Sequence, residues 1–474
     1  MRQLSGSDAF FLYADKPGQH QHVSTVYLYD PGTAAGGEVP FEDILERVRS
    51  RLPLSSIFRR RLARVPFELD YPYWIEDPDF ELEYHVRQIA LPAPGDWRQL
   101  CIQLSRLHSR ALNLTRPVWE MYVIEGLDRV ESLPPGAFAI MVKVHHAALD
   151  DATETDFTAA LHESDPDAEP AYYRDQWHPE AEPGLAQIAA LAWFNNTTKL
   201  IESGQSLLDF LPFVGARRGQ AGDLLHGDEA AAPLTRFGGE ISAYRVWNAR
   251  FFPLDEVEAI ARSIEGAGGG AGSEHAPGHR VQLLRVDLCT TVADPLERLR
   301  EVTRGLAEVR AAARLGGGDM DELQDSLPSP TMALLARAVE AGLGPGRHFR
   351  EDHNTIISLV PGPDRPLYLC GARLIGFTGM GTIVDNLALN HTVTRYDGRL
   401  GIAAVCDRAI MRRPNFYGRC LDAAFEELAV AARDKADRGK ASGRGTSKRS
   451  ASGGGAANDR AAETRAAGSG SRRR

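Results

Sequence analysis

The sequence has few cysteines, no long hydrophobic run and no secretory signal. Its five cysteines are odd in number, lie far apart and form no Cys-x-x-Cys pair, a pattern that favours reduced thiols over disulfides or a zinc site. No apolar run reaches the roughly 18 to 20 residues that a membrane-spanning helix needs, and residues 1–15 lack the basic start and apolar stretch of a signal peptide. We therefore expect a cytoplasmic protein without a structural metal.

The net charge of −10 conceals a basic C-terminal segment. Over the whole chain, 43% hydrophobic and 25% charged residues are typical of a soluble globular protein, and 474 residues are enough for two domains. Residues 433–474 are instead rich in Gly, Ser, Ala, Lys and Arg, so they cannot bury enough surface to offset their ordering entropy. We predict a disordered basic tail. A solubilising role is favoured over contact with anionic lipid or nucleic acid, and no specific nucleic-acid partner is expected.

Helical and strand periodicities alternate along the chain, which predicts an α/β fold. Strands are predicted at Val23–Asp30, Trp119–Leu127, Phe138–His146, Ile241–Phe252, Val281–Thr290, Asn354–Gly362, Leu387–Gly398 and Arg399–Asp407. Helices are predicted at Phe41–Leu52, Trp97–Leu112, from about Ala152, and at Leu254–Glu265, Pro295–Ala313 and Asn415–Ala432. The pattern indicates two α/β halves at residues 1–167 and 240–432, a connecting helical segment at residues 168–239, and the tail at residues 433–474.

The connecting segment contains an apolar stretch at residues 184–216. Trp193, Phe194 and Phe210 lie beside a set of apolar residues near helical spacing. The set is Leu185, Ile188, Ala192, Leu200, Leu207, Leu208 and Leu211. A crossover helix packed between two domains is the favoured interpretation. The alternative is a face that rests on a lipid surface.

Two histidines end an apolar run in the stretch FAIMVKVHHAALDDATETDF, residues 138–157. Because successive strand residues point to opposite faces, His146 is expected on the face of Val144 and His145 on the face of Lys143, so the two rings have different roles. Asp151 and Glu154 have the spacing of a helix capping box. A zinc site lacks a third ligand and the i, i+4 histidine spacing. From these residues alone, a buried structural histidine and a general base both remain open.

The segment HHAALDD resembles the His-His-x-x-x-Asp-Gly signature of the bacterial wax ester synthase/diacylglycerol acyltransferase family, and through it the chloramphenicol acetyltransferase and condensation-domain superfamily. Five further stretches agree in order with that family: LSGSDAFFLYADKPGQHQHV near the start, FRRRLARVPFELDYPYWIEDPDFELEYHV, RPVWEMYVIEGL, and, near the end, ISLVPGPDRPLYLCGARL and YDGRLGIAAVCDR. The resemblance covers nearly all of residues 4–432.

The resemblance implies two acetyltransferase-like halves, each a mixed sheet with flanking helices, with a tunnel between them for acyl-CoA and an acceptor alcohol. His146, which matches the second motif histidine, would be the general base, and His145 and Asp150 would support the shape of the site. The only co-substrate implied is acyl-CoA, with no metal and no further cofactor. The implied reaction is transfer of a long-chain acyl group to diacylglycerol, giving triacylglycerol, or to a fatty alcohol, giving a wax ester, at a membrane or lipid-droplet surface.

The sequence departs from the family pattern at two places. Asp151 stands where the motif has glycine, and the glycine-rich residues 266–279 replace a segment with an Asn-Asp motif, which shortens the second half. These departures keep open a catalytically impaired homologue that binds acyl-CoA or lipid or pairs with an active relative. A third reading, an acyltransferase with another acceptor or a carrier protein, is disfavoured because no carrier domain is visible.

Overall fold

The computed structural model describes residues 1–149, 158–168, 173, 177, 179, 183–184, 186–195, 235–264, 284–315, 329–340, 353–363 and 365–447. The helices are α1 (Gly6–Ala14), α2 (Phe41–Arg51), α3 (Leu82–His85), α4 (Trp97–His108), α5 (Leu254–Ile264), α6 (Pro295–Leu315), α7 (Ser329–Glu340) and α8 (Pro414–Ser447), and residues 158–161 and 186–195 are also helical. The strands are β1 (Arg2–Gln3), β2 (His22–Asp30), β3 (Arg60–Ala63), β4 (Tyr73–Glu76), β5 (Val86–Ala90), β6 (Trp119–Glu125), β7 (Phe138–His145), β8 (Arg245–Pro253), β9 (Ile356–Pro361), β10 (Tyr368–Leu369), β11 (Ala372–Met380), β12 (Leu389–Tyr396) and β13 (Arg399–Asp407).

The largest sheet contains strands from both ends of the chain. Its order is β10-β11-β2-β7-β6-β5, and a second sheet has the order β8-β13-β12-β9. Strand β11 pairs antiparallel with β2, with Phe377 opposite Tyr27, and β2 pairs in turn with β7, with His22 opposite His145. A strand from the C-terminal half therefore completes the N-terminal sheet, and the two halves share a backbone hydrogen-bond ladder.

Strand β7 lies at the centre of the larger sheet and is buried along its whole length. Its alternate residues enter different hydrophobic clusters: Ile140 and Val142 pack into one cluster, whereas Met141 packs into another that also contains Trp247 and Val405 of the second sheet. The second cluster therefore fills the space between the two sheets. This arrangement holds the C-terminal end of β7, where the two histidines lie, on a rigid element.

Helix α4 covers one face of this sheet, and its start is fixed by a capping box. The Asp96 carboxylate accepts from the Gln99 N–H, and the Gln99 side chain accepts from the Asp96 N–H. The apolar residues follow helical spacing, so Leu100, Leu104 and Leu107 all face inward and are buried in the cluster between the sheets. The helix thus brings its C-terminal end against the strand residues next to the histidines.

Two predictions about secondary structure need correction. Residues 284–290 contain no strand, although the alternation of apolar residues predicted one at Val281–Thr290. Helix α8 extends to Ser447, so the predicted disorder of the tail is wrong for residues 433–447. This segment contains three glycines, which are poor helix formers, and it continues a helix that is already nucleated by the packing of Leu428, Ala429 and Ala432. The predicted helix start at Ala152, most of the connecting segment, and residues 448–474 lie outside the described residues.

Within the described ranges, no helix combines the length and the hydropathy that a bilayer-spanning segment requires.

Candidate active site

The histidine pair lies where β7 ends. The strand ends at His145, and His146 begins a 3-10 turn, His146–Ala148. The expectation that His146 continues the strand alternation is therefore wrong by one residue. The backbone N–H of His146 donates to the Gln21 carbonyl at 2.7 Å, and the Leu149 N–H donates to the His146 carbonyl at 3.0 Å. Both sides of the turn are thus held by backbone hydrogen bonds.

The ring of His146 stacks on Phe11 of helix α1. The ring centroids are 3.7 Å apart and the planes differ by 16°. Burial, with a smaller contribution from the neighbouring His145, lowers the pKa of His146 to about 4. The imidazole is therefore neutral at pH 7 and able to accept a proton. His146 is only partly buried, so part of the residue remains accessible from outside.

The ring of His145 is fully buried and points to different neighbours. Its Nδ1 accepts from the Ala147 N–H at 3.1 Å, so a proton on the ring lies on Nε2. That Nε2 lies 3.4 Å from Oδ2 of Asp15 and has no shorter hydrogen-bond partner within the described residues. His145 therefore links the turn that carries His146 to a carboxylate on another segment, and it is not placed to meet a substrate.

Asp15 was not predicted as a site residue. Its Oδ2 also accepts from the Gln21 N–H at 2.9 Å, and its Oδ1 lies 3.3 Å from Nδ1 of His20. Burial alone would raise the pKa of Asp15, but the contacts with His145, His20 and the Gln21 N–H outweigh it and hold the pKa well below its usual range. The signal in the sequence is a carboxylate just before the histidines of DKPGQHQH, residues 15–22.

A cluster of buried polar side chains, which includes His22, Ser24 and His108, lies next to His20. Nε2 of His22 lies 2.6 Å from the His108 carbonyl, and Nδ1 of His108 lies 2.9 Å from the Ser24 hydroxyl. Burial lowers the pKa of His108 to about 3 and that of His22 well below its ordinary value. On the same face as His145, Lys143 is fully buried and pairs with Glu120 at 3.0 Å. The ends of β2 and α4 are therefore fixed by neutral histidines and one ion pair.

The third motif residue, Asp150, and its neighbour Asp151 lie outside the described residues. The structure therefore brings together His145, His146 and Asp15 but adds nothing on the two aspartates after the pair. Among the residues it describes, no group of three or more His, Cys, Asp and Glu side chains is arranged to hold a metal ion.

Mild acid should destabilise this protein. Several described histidines have a pKa lowered mainly by burial: His22, His85, His108, His146, His162 and His391. Unfolding raises each pKa towards 6.5, so the unfolded chain binds more protons and stability is lost as the pH falls below about 6.5 towards the folded values. We expect Tm to fall by at least about 5 °C between pH 7.5 and 5.5, a window above the titration of most carboxylates. A constant Tm over that range would contradict the burial of neutral histidine rings in the folded protein.

Comparison with known proteins gives a consistent result. Residues 4–267 match the wax ester synthase/diacylglycerol acyltransferase catalytic domain, and residues 278–429 match the WS/DGAT C-terminal domain. "Putative diacyglycerol O-acyltransferase Rv3087" of Mycobacterium tuberculosis (strain ATCC 25618 / H37Rv) is 28% identical over 480 residues, which span 92% of this chain and 98% of that protein.

Solved structures agree on the fold. The wax ester synthase/diacylglycerol acyltransferase from Marinobacter aquaeolei VT8 superimposes with a TM-score of 0.63 at 23% identity, covering 91% of this chain and 100% of that one. The TRI3 trichothecene 15-O-acetyltransferase from Fusarium sporotrichioides gives a TM-score of 0.52 at 8% identity, with 91% and 95% covered. The predicted two-lobed chloramphenicol-acetyltransferase-like α/β fold is confirmed. Because the two family models together cover most of its length, the chain belongs to the wax ester synthase/diacylglycerol acyltransferase family.

Proposed function

We propose that this member of the family transfers a long-chain acyl group from acyl-CoA to diacylglycerol, forming triacylglycerol, and to long-chain alcohols, forming wax esters. Family membership supports the acyltransferase class. The observation that carries the proposal is the neutral ring of His146, stacked on Phe11 and partly open to a substrate, on a turn anchored at Gln21.

In the proposed mechanism, His146 is the general base. It takes the proton of the acceptor hydroxyl while that oxygen attacks the thioester carbonyl. When the tetrahedral intermediate collapses, the carbon–sulfur bond breaks and the imidazolium returns the proton to the thiolate of CoA. Burial keeps the resting ring neutral and makes the imidazolium a stronger acid in the second stage, while it makes the imidazole a weaker base in the first. No covalent bond between enzyme and substrate is needed.

His145 and Asp15 position this base. The Ala147 N–H that binds His145 belongs to the same turn as His146, and the Gln21 segment that binds the His146 N–H is itself bound by Asp15. The Asp15 carboxylate therefore constrains His146 in two ways, through His145 and through the Gln21 segment. Asp150, which matches the aspartate of the motif, is proposed to support the same turn.

We further propose that the protein works at the surface of a membrane or lipid droplet, because diacylglycerol and fatty alcohols are insoluble in water. The helix at residues 186–195 supports this location. It packs Ile188 and Ala192 into a cluster with β3 and β4, whereas the side chains of Trp193 and Phe194 are 75% and 65% exposed. Large aromatic side chains at a surface are suited to the interface of a lipid layer. The rest of the apolar stretch, from residue 196, lies outside the described residues.

The test uses vesicles that contain diacylglycerol, or hexadecanol in a parallel sample, mixed with the full-length protein and labelled palmitoyl-CoA. We expect labelled triacylglycerol or wax ester on thin-layer chromatography, and flotation of the protein with the vesicles. Failure to form either ester between about pH 6 and 9 would contradict the proposed activity. Failure to float would contradict the surface location alone.

Asp151 supports a second candidate function, that of an impaired homologue that binds acyl-CoA or lipid without turnover. A carboxylate in place of the motif glycine adds a negative charge close in sequence to His146. Such a charge stabilises the protonated form of an imidazole. The variant Asp151→Gly should therefore be assayed beside the parent. Ester formation by the variant but not by the parent would identify Asp151 as the cause of the impairment.

A further inference from the structure

A cavity of about 580 Å³ opens between the two halves, away from the histidine pair. One wall is the start of α4 with residues 129–133, and the opposite wall includes parts of β8, β11 and α8. Leu28 of β2 lines this cavity, whereas His22 at the other end of the strand is opposite His145. A strand rises about 3.3 Å per residue, so the cavity lies about 20 Å from the pair. Its volume is in the range of small-molecule sites.

The side chains around this cavity are strongly cationic, although the chain as a whole carries a net charge of −10. Only two carboxylates, those of Asp96 and Glu131, belong to the lining, and Asp96 is occupied in capping α4. The arginines that line the cavity are Arg98, Arg129, Arg250, Arg399 and Arg419. They come from five separate segments of the two halves, so the fold gathers a charge that no local sequence pattern displays.

Most of these guanidinium groups lack an acidic partner. Arg250 pairs with Asp422 at 2.9 Å. In the part of the chain that the structure describes, none of the other four forms an ion pair, and all four side chains are exposed. Arginine binds phosphate and carboxylate through two parallel N–H donors. No carboxylate among the described residues pairs with these four, and Arg419 also lies over the Phe416 ring, 5.7 Å from its centroid.

Two helices begin at the same cavity. Trp97 and Arg98 belong to the first turn of α4, and Asn415 and Arg419 to the first turns of α8. Neither helix has an acidic residue in its first turn, although the Asp96 carboxylate caps the start of α4. Helix N-termini carry a partial positive charge and attract anions, so arginines placed there add repulsion that a bound anion would relieve.

The cavity also has an apolar part, to which Trp97, Leu133, Phe251 and Ile375 contribute. An inorganic anion alone would leave this surface in water. We propose that the cavity binds a phosphate-bearing molecule with an attached aromatic or apolar portion. The nucleotide end of a CoA thioester and the headgroup region of an anionic phospholipid share this chemistry, and only the CoA source rests on the proposed function.

The test compares two double variants of the full-length protein. Arg98→Gln with Arg419→Gln removes one cavity arginine from α4 and one from α8. Arg106→Gln with Arg412→Gln removes two exposed arginines from α4 and from the residues just before α8, outside the cavity. Both variants change the net charge equally. Binding of free CoA is measured by calorimetry, and binding of phosphatidic acid vesicles, against phosphatidylcholine vesicles, by sedimentation.

We expect at least one of the two phosphate ligands to bind, with an affinity that falls at least about tenfold in the cavity variant and less than about twofold in the control. A response to CoA identifies the nucleotide as the source, and a response to phosphatidic acid alone identifies the lipid headgroup. Absence of binding by both ligands, or equal losses in the two variants, would overturn the proposal. If the cavity double variant does not fold, Arg129→Gln in the loop takes its place.

The binding measurement is separate from catalysis. His146→Ala should bind the same phosphate ligand as tightly as the parent does, because its ring lies at the far end of the strands from the cavity. If the parent protein forms no ester but still binds the ligand through the cavity arginines, the proposed function is contradicted and the phosphate site stands.

Discussion

Replacing His146 with alanine should lower the rate of acyl transfer by about two orders of magnitude or more and leave Tm close to that of the parent. The variant loses the neutral base, while the turn keeps its backbone hydrogen bonds to Gln21 and Leu149. The lost stacking on Phe11 is worth about 1 kcal/mol, which is small for a protein of this size. Initial rates with palmitoyl-CoA and diacylglycerol, together with thermal unfolding, check both statements.

A matched control is His391→Gln in the second sheet. The His391 ring is also mostly buried and is bound by the Tyr417 and Thr355 hydroxyls at 2.7 and 3.0 Å, but it is remote from the pair at the end of β7. This variant should lose stability and retain its rate per folded molecule. Full activity of His146→Ala would show that the base is another group.

The pH dependence of acyl transfer provides a second test of the role of His146. Because burial lowers the pKa of His146 to about 4, the acid limb of kcat/KM should lie between about pH 4 and 5 and not near 6.5. Activity would then persist at pH values where an exposed histidine is already protonated. An acid limb at 6.5 or above would mean that the ring is charged more readily than its burial implies, as a nearby Asp151 carboxylate would cause.

Asp15→Asn should lower kcat by about 10- to 100-fold with little change in KM, the cost typical of losing a group that orients a functional side chain. The amide keeps one acceptor oxygen but loses the charge that faces Nε2 of His145 and Nδ1 of His20. The turn that carries His146 would then be held less firmly. Asp15→Glu keeps the charge and should recover part of the rate.

Asp407→Asn separates this positioning role from a general loss of stability. Asp407 is a buried carboxylate at the end of β13 that accepts from the N–H groups of Ser242, Ala409 and Ile410. Its replacement should lower Tm and leave kcat per folded molecule unchanged. If Asp15→Asn behaves in the same way, Asp15 supports the fold alone and has no part in orienting the base.

The strand that carries the histidines could be predicted because its signal is local. An apolar run of strand length ends at the pair, and the structure places β7 at Phe138–His145. The partnership of Asp15 with His145 could not be predicted in this way, since it depends on the register of β2 against β7, which puts His22 opposite His145. Register is decided by contacts over the whole sheet and not by either segment.

The errors in the prediction have the same origin. Residues 284–290 alternate like a strand, yet in the described structure they pair with no neighbouring strand, and Leu288 is 44% exposed. Alternation shows that a segment can form a strand, and pairing requires a free edge nearby. In α8 the local sequence does not favour a helix, but packing produces one. Leu428, Ala429 and Ala432 anchor the helix on α5 and α6, and the polar residues that follow continue it to Ser447.

The ladder between β2 and β11 means that the two halves are not independent folding units, even though each has its own sheet. A fragment that ended before residue 240 would expose the edge of β2 from Ser24 to Asp30, and exposed edges of this kind pair with other chains. Two fragments made separately would have to recombine by donor-strand complementation, with β11 inserted beside β2. Splitting this enzyme for complementation assays would thus couple reassembly to the completion of the sheet that carries the histidine pair.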